Sequence, residues 1–372
     1  MTKREPLRLA VVRDYRAEGW PSMDLCADQL LAHLPPEIAA QEVAPAFVRL
    51  FSYLPLAARI RLNGDRLLNR YLLLPGVVRR VARRVDFVHI VDHSYAHLVE
   101  VVGPGRAGVY CHDLDAFRCL LAPAEEPRPV WFRRLARRLL RGLQQAAVVF
   151  YNSRYTAEQL TAAGLVPAER LVHAPLGVAM EFTPVALGSI PLPVSTEGPY
   201  LLHVGSNIPR KRLDVLLEVY AAVRQRMPAV RLIQVGGPWP PNLRELLERL
   251  NIVAGVTQVR GLSRAQLAEL YRKAKAVLVP SASEGFGLPV IEALACGTPV
   301  VASDIPSLRE AGGAAVLYCP VGDVAAWTET VLQLLRDPCV VPPREIRLRQ
   351  AAAFSWARHA RIIADTYLHL TR

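Results

Sequence analysis

A chain of 372 residues is long enough for two domains with a full core each, and 52% hydrophobic against 21% charged residues excludes a disordered protein. No run reaches the roughly 18 apolar residues of a membrane-spanning helix. The net charge of +12 is almost all arginine, since the lysines are Lys3, Lys211, Lys273 and Lys275 alone; it suits phosphate ligands or an acidic lipid surface, whereas no recognition helix, finger or aromatic RNA-binding motif speaks for nucleic acid.

Residues 1–6 are polar and lead into Leu7–Val12, the first core strand, so no secretory signal is expected. A loop over 13–22 contains Gly19, where backbone could approach a phosphate, although an ordinary turn glycine reads the same way. An amphipathic helix over 23–34 follows. Residues 48–84 mix Arg59, Arg61, Arg66, Arg70, Arg79, Arg80, Arg83 and Arg84 with Leu, Val and Tyr, and 131–143 (WFRRLARRLLRGL) repeats the theme. Such stretches are solvated faces of surface helices, the commoner case, or basic amphipathic helices lying on anionic membranes.

Residues 87–91 and 108–110 read as buried strands ending in polar groups: Asp92, His93 and Ser94 after the first, His112, Asp113 and Asp115 after the second. Ligand crevices of open α/β sheets lie at such strand ends, though a lone histidine is more often structural. A strand over 146–151 and a helix over 156–163 come next. Residues 186–199 are rich in proline, serine and glycine and lack apolar periodicity, the composition of a linker.

The second half opens with a strand over 200–204, the loop GSNIPRKR over 205–212 and a helix over 213–226. Arg210 and Lys211 stand at that helix start, where two cations and a positive dipole end would grip a diphosphate. A solvated basic turn is the plainer alternative. A strand over 230–235 with Gly236 and Gly237, a strand over 256–261 and a helix over 263–274 follow. Later elements are strands over 300–302 and 315–317, a helix over 325–336 and a terminal helix over 354–370. The six cysteines are scattered, form no C-x-x-C pair and read as reduced core residues.

Between these lies AVLVPSASEGFGLPVIEALACGTPVVAS from Ala276, a strand, loop, helix and strand. Pro289 suits the first helical position and Gly297 the position after the helix over 289–296. That helix is apolar on nearly every side, so Glu292 is anomalous: a buried carboxylate is costly unless something hydrogen-bonds it. A sugar's hydroxyl pair would do so, and pairing inside the fold would too. Glu284 lies in the loop at the strand end, where Gly285 and Gly287 let backbone approach a ligand and the helix start can hold a phosphate.

The whole string resembles the signature of retaining family-4 glycosyltransferases of the GT-B fold, of the bacterial polysaccharide and glycolipid type. CHDLDAF resembles the family's strand-end His-Asp motif, and Leu176-Gly177-Val178 with Phe182-Thr183-Pro184 its close of the first domain, with Ala179 where that pattern has aspartate. The family has an arginine just after the first glycine of the second domain; Ser206 and Asn207 stand there here, so Arg210 must supply the second charge.

The resemblance implies an α/β chain of two doubly wound Rossmann-like domains facing each other across a cleft. The acceptor-side domain spans 1–185 with the 354–372 helix packing back on it, and the donor domain spans 200–353. It implies transfer of a sugar from a UDP- or GDP-linked donor to a glycan or lipid-linked acceptor hydroxyl, with no cofactor. No Asp-x-Asp motif implies a metal ion. Lys211 and Arg210 would offset charge on the departing diphosphate, Glu284 would hold a donor-sugar hydroxyl, Glu292 the ribose, and His112 would sit beside the transferred sugar, with His93 and Asp113 secondary. Gly19, Gly205 and the backbone of Gly285, Phe286, Gly287 and Leu288 would border the phosphates or sugar, and Arg260-Gly261 the nucleobase. The expected location is cytoplasmic, with docking on the inner face of the plasma membrane weighed beside it. The alternatives are a GT-B epimerase or hydrolase, or a non-catalytic sugar-nucleotide-binding protein.

Overall fold

The computed structural model describes residues 5–54, 58–186, 188 and 190–371. The first four residues, linker positions 187 and 189, and the Arg59 side chain of the basic stretch lie outside the described residues. The chain divides into two compact units, Met1–Gly177 with Trp356–Arg372, and Val178–Ser355.

The first unit is built on β1 (Leu7–Val12), β2 (Ile38–Val43), β3 (Phe87–Ile90), β4 (Ala107–Cys111), β5 (Val148–Tyr151) and β6 (Leu171–His173). They lie in the order β2-β1-β3-β4-β5-β6, all parallel. The central strands β3 and β4 are buried along their full length, as a parallel sheet covered on both faces requires. Strand β2 (IAAQEV) escapes sequence reading because only its two ends are buried. The helix expected over 23–34 runs over Pro21–His33, with Pro21 in its first turn.

The basic stretch is not one solvated face. The helix Ala58–Leu67 passes through a π-helical turn, Leu68–Leu73, into the helix Leu74–Ala82. The wide turn points Asn69 inward, where its amide holds the Val48 N–H (2.9 Å) and the carbonyls of Val48 and Asp65 (both 2.7 Å). Arg70 also points inward, whereas Arg79, Arg80, Arg83 and Arg84 are exposed. The second basic stretch is the helix Val130–Gln145, buried at Ala136, Leu139, Gly142 and Leu143 with Arg134, Arg137 and Arg141 outside. A Cβ on Gly142 would collide with the Ala96 carbonyl, so glycine is what lets this helix lie against the turn His93–Leu98.

The terminal helix, Trp356–Leu370, belongs to this first unit. It buries Trp356, Ile363 and Tyr367; the Tyr367 hydroxyl meets His89 Nδ1 at 3.0 Å, and His359 Nδ1 donates to the Ala174 carbonyl at 3.1 Å. It begins two residues later than expected, because Phe354 packs edge-on to Phe286 (5.4 Å) and Ser355 bridges to Val178, both in the second unit.

The second unit carries β7 (Tyr200–Val204), β8 (Arg231–Val235), β9 (Val256–Val259), β10 (Ala276–Val279), β11 (Val300–Ser303) and β12 (Leu317–Cys319). Their order is β12-β11-β10-β7-β8-β9, again all parallel. The strand expected over 315–317 lies two residues on, after a 3-10 turn at Gly313–Ala315. The strand expected to reach 261 stops at Val259, before Gly261 takes φ +68. The helix expected over 263–274 is Arg264–Lys273, with Ser263 closing a capping box to Gln266.

The division between units falls at Gly177, before the expected boundary at 185. Residues just beyond it pack within the second unit: Val178 N–H donates to the Phe354 carbonyl (3.2 Å), Glu181 pairs with Arg264 (2.9 Å), and Phe182 meets the Tyr271 ring edge-on (5.7 Å).

Candidate functional site

In the second unit the chain winds outward from β7 to β9, then restarts on the other side of β7 with β10. The switch point, where open α/β sheets bind ligands, is therefore between β7 and β10. After β7, the Gly205 N–H donates to the Val235 carbonyl and Gln234 Nε2 donates to the Gly205 carbonyl, each at 3.0 Å, which fixes the loop. The turn Pro209–Lys211 follows and ends at Arg212, held in the left-handed region (φ 50) by both oxygens of Asp214.

This turn aims its two cations at the loop after β10. Lys211 Nζ donates to Glu284 Oε1 at 2.5 Å, Arg210 donates to Glu284 Oε2 at 3.1 Å and to the Ser283 carbonyl at 3.0 Å, and Ser281 Oγ donates to Glu284 Oε1 at 2.7 Å. Glu284 is 6% exposed. Burial alone would raise its pKa, but Lys211 and Arg210 outweigh burial and hold it below the ordinary glutamate range. His203, buried on β7 beside Lys211, is driven down to about 3 by burial first and by Lys211 second, so it is a neutral imidazole. Two cations and one carboxylate leave a net positive charge at the switch point, suited to an anion such as a diphosphate. Of the residues singled out from the sequence, the structure brings Arg210, Lys211 and Glu284 together; Ser281 and His203 join them without any motif to mark them.

Glu292 is placed differently. Its helix is Leu288–Ala295, one residue earlier than expected, so Pro289 is at the second helical position; Gly287 (φ +109) caps the start and Gly297 (φ +76) follows the end. Within this apolar helix Glu292 is 7% exposed and accepts the Tyr271 hydroxyl at 3.0 Å, so the buried carboxyl has a partner inside the fold. Burial pushes it up to about 8. Phe286 buries its ring against Phe354. Arg260 and Gly261 are exposed beyond the edge strand β9, and no hydrogen bond or ion pair joins them to Lys211 or Glu284 among the described residues.

In the first unit the switch point lies between β1 and β3. His112, just after β4, is buried; its Nε2 donates to the Val91 carbonyl at 2.9 Å and its backbone N–H to His93 Nδ1 at 3.3 Å. Burial lowers the His112 pKa, keeping the ring neutral. Asp92 Oδ1 lies 3.2 Å from His93 Nδ1, and Asp113 Oδ1 lies 3.8 Å from His93 Nε2, so Asp113 faces His93. Gly19 (φ +72) closes the turn Arg16–Glu18 by donating to the Arg16 carbonyl. Beside it is a buried set that the sequence did not disclose: Arg70 from the π-helical turn pairs with Glu18, which also accepts the Tyr95 hydroxyl at 3.0 Å.

Residues 30–182 match the model of Glycosyltransferase Family 4, and residues 191–353 that of Glycosyl transferases group 1. An O-antigen chain mannosyltransferase B of Escherichia coli is 31% identical over 266 residues, covering 68% of this chain and 67% of that protein. A D-inositol 3-phosphate glycosyltransferase of Mycolicibacterium smegmatis is 32% identical over 314 residues, 78% of this chain and 70% of that protein. Among solved structures, a sucrose-phosphate synthase from Thermosynechococcus elongatus superposes with a TM-score of 0.72 at 19% identity, covering 98% of this chain and 99% of that one. Anabaena HepE in complex with UDP-glucose gives 0.71 at 17% identity, covering 98% and 100%. Two doubly wound parallel sheets and matches across both halves make this chain a glycosyltransferase of family 4, with the two-Rossmann-domain GT-B fold.

Proposed function

We propose that this glycosyltransferase moves a sugar, with retention of configuration, from a UDP- or GDP-linked donor to a hydroxyl of a glycan or lipid-linked acceptor, in cell-surface polysaccharide or glycolipid synthesis. The donor belongs to the second unit and the acceptor to the first. The observation that carries this reading is the Lys211–Glu284–Arg210 set at the β7–β10 switch point. On departure of the diphosphate the anomeric carbon–oxygen bond breaks and the phosphate oxygen takes the electron pair. Lys211 and Arg210 offset that charge. The acceptor oxygen bonds to the anomeric carbon from the same face and its proton passes to the leaving phosphate, so neither a covalent enzyme intermediate nor a metal ion is required. Glu284 orients a donor hydroxyl, Glu292 the ribose, and His112 a hydroxyl of the transferred sugar. A relative named as a mannosyltransferase of O-antigen chains favours the cell-surface role.

Thermal-shift and donor-hydrolysis screens against UDP-, GDP- and ADP-sugars, with and without EDTA, test this. Stabilisation by UDP or GDP with slow, EDTA-insensitive hydrolysis is expected; no shift with any nucleotide means that the diphosphate site is misread.

The acceptor's lipid would bring the first unit to the inner face of the plasma membrane. In support, exposed apolar side chains concentrate in the basic stretch, with Tyr53 86%, Leu72 70% and Leu50 58% exposed, and Trp131 (58%) stands at the head of the helix that carries Arg134, Arg137 and Arg141. Binding to liposomes should require anionic lipid and weaken with salt. Binding that is absent or indifferent to salt returns these arginines to a solvated surface.

A further inference from the structure

Three side-chain amides that the transfer chemistry leaves unused converge beside the loop carrying Arg210 and Lys211. Gln234 shares a face of β8 with the core residue Leu232 and is wholly buried, a costly place for an amide unless both its ends are bonded. Its Nε2 donates to the Gly205 carbonyl, and its Oε1 accepts from Gln258 Nε2 of β9, each at 3.0 Å. Gln258 Nε2 also donates to the Gly237 carbonyl at 2.6 Å. Asn207 Nδ2 donates to the same carbonyl at 2.8 Å and to that of Pro238 at 2.5 Å. Gly236 leaves room for this crossing: a Cβ there would come within 2.1 Å of the Gly205 oxygen and 2.3 Å of Gln234 Nε2.

The loop after β7 is thereby fastened on two sides. Towards β8 it is held by Gln234 at Gly205 and by Asn207 at Gly237 and Pro238. Towards β10, the Ala282 N–H donates to the Arg210 carbonyl at 2.8 Å, and the Arg210 and Lys211 side chains reach Glu284. Amides suit the first of these attachments. They bond carbonyls without adding charge, whereas a carboxylate there would offset the two cations and a third cation would compete with them for the anion. Tying the loops after β7 and β8 together before a ligand arrives also removes the entropy loss of ordering them on binding.

We propose that Gln234, backed by Gln258 and Asn207, is a positioning residue for the donor diphosphate: it acts through Lys211, by fixing the loop from which Lys211 projects. This rests on the transferase reading and names what holds its central cation in place. The test is a double-mutant cycle of Gln234→Met and Lys211→Ala in the full chain, read by phosphorus NMR titration of inorganic pyrophosphate and by melting curves. Methionine keeps the length of the side chain and removes its hydrogen bonds. Gln234→Met should weaken pyrophosphate binding about tenfold with Lys211 present and less than about twofold with Lys211 absent, since residues coupled in one network are non-additive. A role confined to the fold would leave binding unchanged, or weaken it by one factor in both backgrounds. Either result overturns the proposal, while binding that still depends on Lys211 keeps the donor reading. Gln258→Met, at a half-buried position, cuts the same network and should show the same coupling; it stands in if Gln234→Met does not melt cooperatively. No pyrophosphate binding to the wild type, or binding indifferent to Lys211→Ala, overturns both. The coupled loss with no thermal shift by UDP or GDP would uphold the positioning role and overturn the nucleotide-sugar donor.

Discussion

Lys211→Ala is expected to lower turnover by about 10²-fold or more, the scale of losing one oriented charge from a transition state. The fold should survive, since Glu284 keeps Arg210 and the Ser281 hydroxyl once the ammonium is gone. Lys211 and Glu284 side chains are 12% and 6% exposed, so solvent screens their interaction little. Glu284→Ala should cost as much turnover and also stability. It strands two cations, and removing one partner of a buried pair typically costs about 3–5 kcal/mol. Steady-state transfer assays and urea melts on both variants separate the cases. Turnover near the wild-type value in either variant removes that residue from the reaction, and an unchanged Glu284→Ala midpoint would show that the pair is structurally idle.

The second large effect concerns Glu292 and pH. Its folded-state pKa of about 8 lies above the ordinary glutamate value of 4.5. Below the lower value the carboxyl is neutral in both states and costs nothing. Between the two, the unfolded chain has released a proton that the folded chain retains, so stability falls as pH rises, by at most about 1.4 kcal/mol per unit. Above the upper value the loss is complete and constant. Glu292→Gln keeps an acceptor for the Tyr271 hydroxyl but removes the titration. The variant should therefore match the wild type in melting near about pH 5 and exceed it increasingly towards about pH 8. Parallel pH profiles would mean that Glu292 titrates normally and is not held neutral by burial.

What the sequence discloses is uneven for physical reasons. Apolar runs such as Tyr200–Val204 and Val300–Ser303 mark buried parallel strands directly, and Gly297 with Pro299 marks where a helix must stop. Strand β2 and the helix Arg344–Ala352 (REIRLRQAA) are half-solvated and carry no comparable pattern. The Lys211–Glu284 pair joins residues 73 apart, and only the resemblance of both loops to one family linked them. Nothing of that kind flags Glu18 and Arg70, which are 52 apart and meet because a π-helical turn rotates Arg70 inward within a stretch that reads as uniformly basic. Asp14 is a single polar residue in an ordinary loop until the β1–β3 register sets it beside Asp92.

The first unit is assembled from both ends of the chain, and this gives biosynthesis a direction. Strands β1 to β6 leave the ribosome early, yet Tyr367, whose hydroxyl bonds His89 and fills the space that a side chain at Gly108 would occupy, is made only after the whole second unit. N-terminal domains usually fold while the rest is still being translated. Here the nascent sheet must wait, with the place of the Trp356–Leu370 helix uncovered, until every residue of the second unit has been added. A message truncated before Trp356, or a ribosome stalled there, would release a chain whose second unit is whole and whose first unit exposes apolar surface to proteases. The Trp356–Leu370 helix thus makes synthesis of the second unit a condition for a finished first one.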